Sequence, residues 1–252
     1  MLSIEGLTKI YPGGVVALDN VSFTVRDGEF LVVIGLSGAG KSTLMRCLNR
    51  LVEPTAGRVV WDGVDVTALP QSELRAVRRR IGMVFQQFNL VRRSSVLANT
   101  LAGRLGYVKT WPSLIGWFSL ADRERAGANL RRVGLEGLAG RRADSLSGGQ
   151  QQRVGIARTL MQEPRLLLAD EPVSSLDPAT AHTVMRHLEA INRGDGITVI
   201  CNLHFLDLAR RYAHRIIGLQ AGRLVFDGLP ADIDTARFKA IYGEDAEEID
   251  VQ

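Results

Sequence analysis

Gly35-Leu36-Ser37-Gly38-Ala39-Gly40-Lys41-Ser42-Thr43 decides the fold. Five apolar residues, Phe30-Leu31-Val32-Val33-Ile34, run straight into it, and Leu44, Met45 and Leu48 follow at helical spacing. Buried strand, glycine-rich loop and helix form the context that gives this spacing chemical meaning. The glycines let backbone N–H groups turn inward around a polyphosphate, and the positive end of the following helix adds potential there. Lys41 would reach the β- and γ-phosphates, and the Ser42 hydroxyl would ligate Mg²⁺. A plain glycine turn before a helix has no need of Lys and Ser at these fixed positions. The stretch points to a nucleotide and leaves open what its energy drives.

The 252 residues suffice for one large domain with a sizeable core. At 46% hydrophobic and 23% charged, the composition is that of an ordinary globular protein. No apolar run reaches the roughly 20 residues of a membrane span, and Met1-Leu2-Ser3-Ile4-Glu5 lacks a basic-then-apolar leader pattern. The expected setting is the cytosol. Cys47 and Cys201 fall in a helix and a strand, so both read as buried, reduced thiols. A net charge of +4 is mild and reads as solvated arginines; it does not itself point to nucleic acid or lipid.

From the loop outward, Leu2, Ile4, Val21, Phe23 and Val25 alternate with polar neighbours, which predicts antiparallel strands over 2–30 around a Tyr11-Pro12-Gly13-Gly14 turn. Phe30–Ile34, Ile81–Phe85, Leu166–Ala169 and Ile197–Ile200 are apolar on both faces, as in a buried parallel sheet. Val59–Gly63 reads as a short strand and turn, and Ser72–Arg80 as a basic helix. Helical spacing returns over Ser95–Leu105, Ala121–Val133 and Gln150–Met161. Between them, Trp111, Pro112, Ile115, Trp117 and Phe118 read as the core of this helical insert, with a docking surface as the alternative. Asp177-Pro178 starts a helix whose buried face is Val184, Leu188 and Ile191 and whose stop is Gly194. Arg215–Leu219 and Arg223–Phe226 suggest a hairpin, and an acidic tail follows Ile233.

Two further clusters carry chemistry. Asp170 and Glu171 end the Leu166–Ala169 strand, where a P-loop protein needs one acid for Mg²⁺ and gains a general base from a second. Ser147-Gly148-Gly149-Gln150 precedes a helix and supplies a hydroxyl, close backbone approach and a helix N-terminus, a second anion site. Two phosphate-binding helix starts in one chain make sense if one serves a second copy.

With Leu146-Ser147-Gly148-Gly149-Gln150 in place, the chain resembles the ATP-binding subunits of ABC transporters over nearly its whole length. The resemblance implies an α/β fold: a P-loop NTPase core of the ABC ATPase type with an antiparallel β subdomain and a helical subdomain. It divides a single 1–252 domain into 1–87 with 164–230, a helical signature part 88–163, and a tail 231–252. It implies ATP and Mg²⁺ as ligands, with Tyr11 on the adenine, Gly35 through Thr43 on the phosphates, and Ser42, Gln86 and Asp170 on the metal. Glu171 would be the base, with His204 near the γ-phosphate and Lys41 beside it. Ser147, Gly148, Gly149, Gln150 and Asp177 would act on ATP held by the partner of a homodimer.

Val91–Thr100, Gly103–Tyr107, Gln150-Gln151-Gln152 and Asn202-Leu203-His204 further resemble the ATPase of phosphonate importers, with phosphite and hypophosphite importers close by. That narrower likeness is associative, since none of these residues need touch cargo. It implies membrane permease subunits, an extracytoplasmic phosphonate-binding protein, and a peripheral place on the cytoplasmic face of the cell membrane. A soluble cassette acting on DNA or ribosomes usually joins two cassettes or carries coiled coils. Here one cassette, no heptad run and modest charge argue against a nucleic-acid partner.

Overall fold

Side-chain alternation on β3 (Phe30–Ile34) sorts the molecule into two cores. Phe30, Val32 and Ile34 enter one apolar cluster, and Leu31 and Val33 enter the other. A strand buried on both faces must read as an unbroken apolar run, and this one does. The computed structural model describes residues 1–108, 111 and 116–243.

The first sheet holds β1 (Leu2–Ile10), β2 (Val16–Val25), β4 (Ala56–Trp61) and β5 (Val64–Asp65) in the antiparallel order β2-β1-β4-β5. The second holds β3 with β6 (Ile81–Val84), β7 (Leu166–Ala169), β8 (Thr198–Asn202), β9 (Arg215–Gln220) and β10 (Arg223–Gly228). Its order is β10-β9-β3-β8-β7-β6, parallel throughout except for the β9–β10 hairpin. Between the sheets lies α1 (Lys41–Leu48), with Leu44, Met45 and Leu48 buried against Leu31, Val33 and the first sheet.

Chain order continues with α2 (Gln71–Arg79), α3 (Val96–Leu101), α4 (Leu120–Arg132), α5 (Gly148–Leu160), α6 (Pro178–Asp195), α7 (Leu206–Tyr212) and α8 (Thr235–Tyr242). Helices α5 to α8 cover the other face of the second sheet.

Several boundaries move from the sequence reading. Helix α6 runs past Gly194 and ends at Gly196, whose φ of 66° supplies the left-handed C-cap. The expected Ser95–Leu105 helix is α3 followed by a 3₁₀ turn over Ala102–Arg104, and β6 closes at Val84 instead of Phe85. The aromatic cluster expected to be a core is divided. Phe118 is buried with Leu101, Ala126 and Met161, but Trp111 and Trp117 are 81% and 68% exposed. Pro112 and Ile115 lie outside the described residues.

Candidate functional site

Parallel strands bring their C-terminal ends to one edge of a sheet, and the functional side chains follow from that. Gly35 leaves β3, Asp170 and Glu171 leave β7, and Asn202 closes β8 two residues before His204. Register fixes their spacing: Val33 pairs with Asn202, and Ala169 with Cys201.

The loop needs its glycines for two physical reasons. Gly35 and Gly40 have φ of 146° and 101°, and a Cβ at either would collide with a backbone carbonyl, Leu219 or Ala17. Gly40 is also the N-cap of α1, and no side chain caps it. The first N–H groups of the helix therefore have no side-chain acceptor, which suits an anion. Lys41 is buried, and its Nζ donates to the Gly35 and Leu36 carbonyls at 2.8 and 2.9 Å. Burial lowers its pKa, against the opposing pull of Glu171 and Asp170.

Asp170, 4% exposed, is the hub of the site. Its Oδ1 accepts from Ser42 Oγ at 2.8 Å and from Asn202 Nδ2 at 2.7 Å, and Arg46 lies 3.9 Å from Oδ2. Beside it, Glu171 has φ of 50°, a left-handed conformation that a side-chain-bearing residue seldom adopts without compensation. Its Oε1 lies 2.6 Å from His204 Nε2, a hydrogen bond when that nitrogen carries its proton.

Tyr11 lies beside the loop, with its hydroxyl 3.4 Å from Thr43 Oγ1 and Lys9 Nζ 5.1 Å from its ring centroid. Gln86 follows β6 at the same sheet edge, exposed and without a hydrogen bond among the described residues. The structure thus brings Gly35–Thr43, Asp170, Glu171 and His204 together within one chain.

Ser147, Gly148, Gly149, Gln150 and Asp177 form a separate group. Ser147 Oγ accepts from the Gln150 amide at 3.3 Å and Gln150 Oε1 from the Ser147 amide at 3.0 Å, a reciprocal cap on α5. Gly149 packs so closely on α6 that a Cβ there would overlap Thr180 Cγ2. Asp177 caps α6 through Thr180, and that bond lowers its pKa. None of these residues hydrogen-bonds to the glycine loop of its own chain among the described contacts.

Sequence reasoning gave Asn202 and Arg46 no role around Asp170. A lone amide closing an apolar strand was the available signal for Asn202, whose Oδ1 is buried and unpartnered. Gln152, fully buried with its amide 3.4 Å from the Phe85 carbonyl, was also missed. Cys47 and Cys201 are free and buried as expected, and burial pushes the Cys47 thiol up to about 11.

A phosphate loop on β3, paired acids on β7 and a capped helix start at Gly148 define a P-loop nucleotide-binding cassette. The ABC transporter family pattern matches residues 18–174. The chain is 56% identical to the phosphonates import ATP-binding protein PhnC of Bdellovibrio bacteriovorus, over 99% of this chain and 96% of that one. It is 52% identical to a protein of the same name from Bacillus anthracis, over 97% and 95%. Among solved structures, the dimeric bacterial ABC transporter cassette MJ0796 superposes with a TM-score of 0.81 at 36% identity, over 91% of this chain and 99% of that one. The ADP conformation of the cassette MJ1267 gives 0.84 at 29% identity, over 95% and 97%. The chain belongs to the ABC transporter family, as an ATP-binding, ATP-hydrolysing cassette.

Proposed function

We propose that the chain is the ATP-hydrolysing subunit that powers import of phosphonates, or closely related phosphorus oxyanions, through a membrane permease. The observation that carries this reading is full-length identity above one half with a phosphonates import ATP-binding protein. The convergence of Lys41, Ser42, Asp170, Glu171 and His204 supports the hydrolytic part. In this reading 1–87 with 164–230 form the core, 88–163 the signature part and 231–252 the tail.

Each step then falls to a side chain already described. The uncapped start of α1 and the loop amides bind phosphate oxygens, and Lys41 exchanges its two carbonyl acceptors for the β- and γ-phosphates. Ser42 and Asp170 offer adjacent hard oxygens, a donor set that fits Mg²⁺, and Gln86 would add a third. When bound, the cation supplies positive charge against the phosphates. Glu171 accepts a proton from the attacking water, and His204 holds that carboxylate in place. Tyr11 offers the adenine a ring face.

The second anion site makes no hydrogen bond to the glycine loop of its own chain among the described contacts, and we place it on the nucleotide of a second copy, with Asp177 across the same seam. Nucleotide held between two copies favours the closed pair, and hydrolysis releases it. The permease responds to that cycle from the membrane, which puts this chain on its cytoplasmic face with the phosphonate-binding protein on the other side. No helix among the described residues is long and apolar enough to cross a membrane itself.

The test is ATPase activity of the chain assembled with its permease in lipid, with the binding protein and alkylphosphonate, phosphite, hypophosphite or phosphate added in turn. Stimulation chiefly by alkylphosphonates is expected. Stimulation by another oxyanion moves the cargo, and stimulation by none removes this family of cargoes.

A further inference from the structure

Asn202 stands where an apolar side chain would complete the strand. It closes β8, whose five residues are all buried, and it is itself fully buried. Two neighbouring strands fix its place. Val33 on β3 pairs with Asn202, and Ala169 on β7 pairs with Cys201, so Asn202 arrives one residue further on, beside Asp170. Its Nδ2 donates to Asp170 Oδ1 at 2.7 Å.

The two ends of this amide fare differently. Asn202 Oδ1 is buried and has no hydrogen-bond partner, so the side chain loses hydration at both ends and recovers a bond at one. Turning the amide over would set its oxygen against a carboxylate oxygen, two acceptors facing each other. A valine or leucine would finish the strand with no polar end to satisfy. Packing therefore does not account for an amide at this position; the bond to Asp170 does.

The carboxylate shows what that bond supplies. Asp170 Oδ1 accepts from both Ser42 Oγ and Asn202 Nδ2, whereas Oδ2 accepts no hydrogen bond among the described residues. Arg46 lies 3.9 Å from Oδ2, on a side chain that is half exposed. A carboxylate turns readily about its last torsion. The Ser42 hydroxyl can rotate to serve another partner, but the enclosed Asn202 amide donates to Asp170 alone among the described residues. Asn202 thus holds one oxygen toward β8 and leaves the other uncommitted. It does so without adding charge, whereas a lysine or arginine would offset the negative charge that draws a divalent cation.

We propose that Asn202 is a positioning residue for the cation site: it sets the rotation of the Asp170 carboxylate, and with it the affinity of the nucleotide-loaded chain for a divalent cation. The role rests on the hydrolytic part of the proposed function, in which Ser42 and Asp170 hold Mg²⁺, and is independent of the cargo.

The test is binding of Mn²⁺, a paramagnetic stand-in for Mg²⁺, to the full chain loaded with one ADP, followed by electron paramagnetic resonance. ADP affinity is measured separately by calorimetry with EDTA present. Asn202→Val and Asn202→Leu both remove the donor but differ in volume, so an effect of packing would differ between them. Mn²⁺ affinity is expected to fall by about tenfold or more in both, as when a group that orients a metal ligand is removed. Metal-free ADP affinity should stay within about twofold of the wild type, because the loop amides and Lys41 hold the phosphates. A merely loosened glycine loop would lower both affinities together. Mn²⁺ affinity unchanged in either variant, metal-free ADP affinity falling in step with it, or loss of cooperative melting in both variants overturns the role of Asn202. A wild-type chain that binds Mn²⁺ with ADP no better than ADP does by itself instead sinks the cation assignment of Ser42 and Asp170, the reading on which this role rests.

Discussion

At position 40 a single methyl group is enough to disturb the site. Gly40→Ala would meet the Ala17 carbonyl at a φ no alanine favours, so β2 or the start of α1 must shift. The expected loss is about 1–3 kcal/mol of stability together with nucleotide affinity, read by thermal melts with and without ATP. An unchanged melt and affinity would mean that the loop adapts freely. Glu171→Gln keeps the shape and the hydrogen bond to His204 but removes the proposed proton acceptor. Turnover should fall by roughly 10²–10⁴-fold while ATP binding persists. Near-normal ATPase in that variant would move the base elsewhere. Lys41, Ser42 and Asp170, which the structure brings together, could be picked out as candidates because phosphate chemistry constrains their types and spacing. Asn202 was not found, because a strand-end asparagine has no such signature until its Nδ2 is seen on Asp170.

Among the elements, α5 and α6 carry the clearest tests. Ser147→Ala removes one half of the reciprocal cap on α5 and should lower stability by about 1 kcal/mol, a shift of a few degrees in Tm. A larger loss of ATP-dependent pairing than of Tm would separate a phosphate role from the capping role. On α6, burial first and Arg153 second hold the His187 pKa below its ordinary 6.5. The unfolded chain therefore binds more protons than the folded one as pH drops through that range. Stability present at neutral pH is lost on acidification, and His187→Leu should flatten part of that fall. Melting midpoints between about pH 7.5 and 5.5 would show it; an equal fall in both chains would clear His187. Strands were the most legible elements, since Leu31 and Val33 facing one core and Phe30, Val32 and Ile34 the other leave no polar position. The end of α6 was less so. Asn192-Arg193-Gly194-Asp195-Gly196 offers two glycines, and the choice falls on Gly196, where Asn192 Nδ2 bonds the Ile197 carbonyl at 2.8 Å. Trp111 and Trp117 were misplaced because apolar content without a period does not say which way a side chain faces.

The whole molecule is two sheets sharing α1, with the glycine loop leading into that helix and α5, which starts behind Ser147, packed on the other face of the second sheet. Ser147 and Gln150 bond each other and not the glycine loop of their own chain among the described contacts, and the proposed pairing predicts a mass change. Glu171→Gln with ATP should run as a pair of chains in light scattering and return to single chains with ADP. One mass under both conditions would remove the pairing from the proposal. Overall architecture was readable in advance because apolar periodicity is set by the same burial that builds the sheets. That a second copy is needed was suggested by two phosphate-binding helix starts in one chain; which residues meet across the pair was implied by the family likeness, since no periodicity within one chain reports a surface that another chain completes.

The ammonium of Lys41 is already spoken for, seated on two carbonyls of its own loop. Ligand entry is therefore an exchange of acceptors, and the measured heat of binding is a difference between the new contacts and two surrendered ones. The same self-contact is a latch. It gives a buried cation two acceptors where an unmatched one would be costly. An acetylated or shortened side chain at this position would thus loosen the loop itself, apart from any effect on the proposed hold on phosphate.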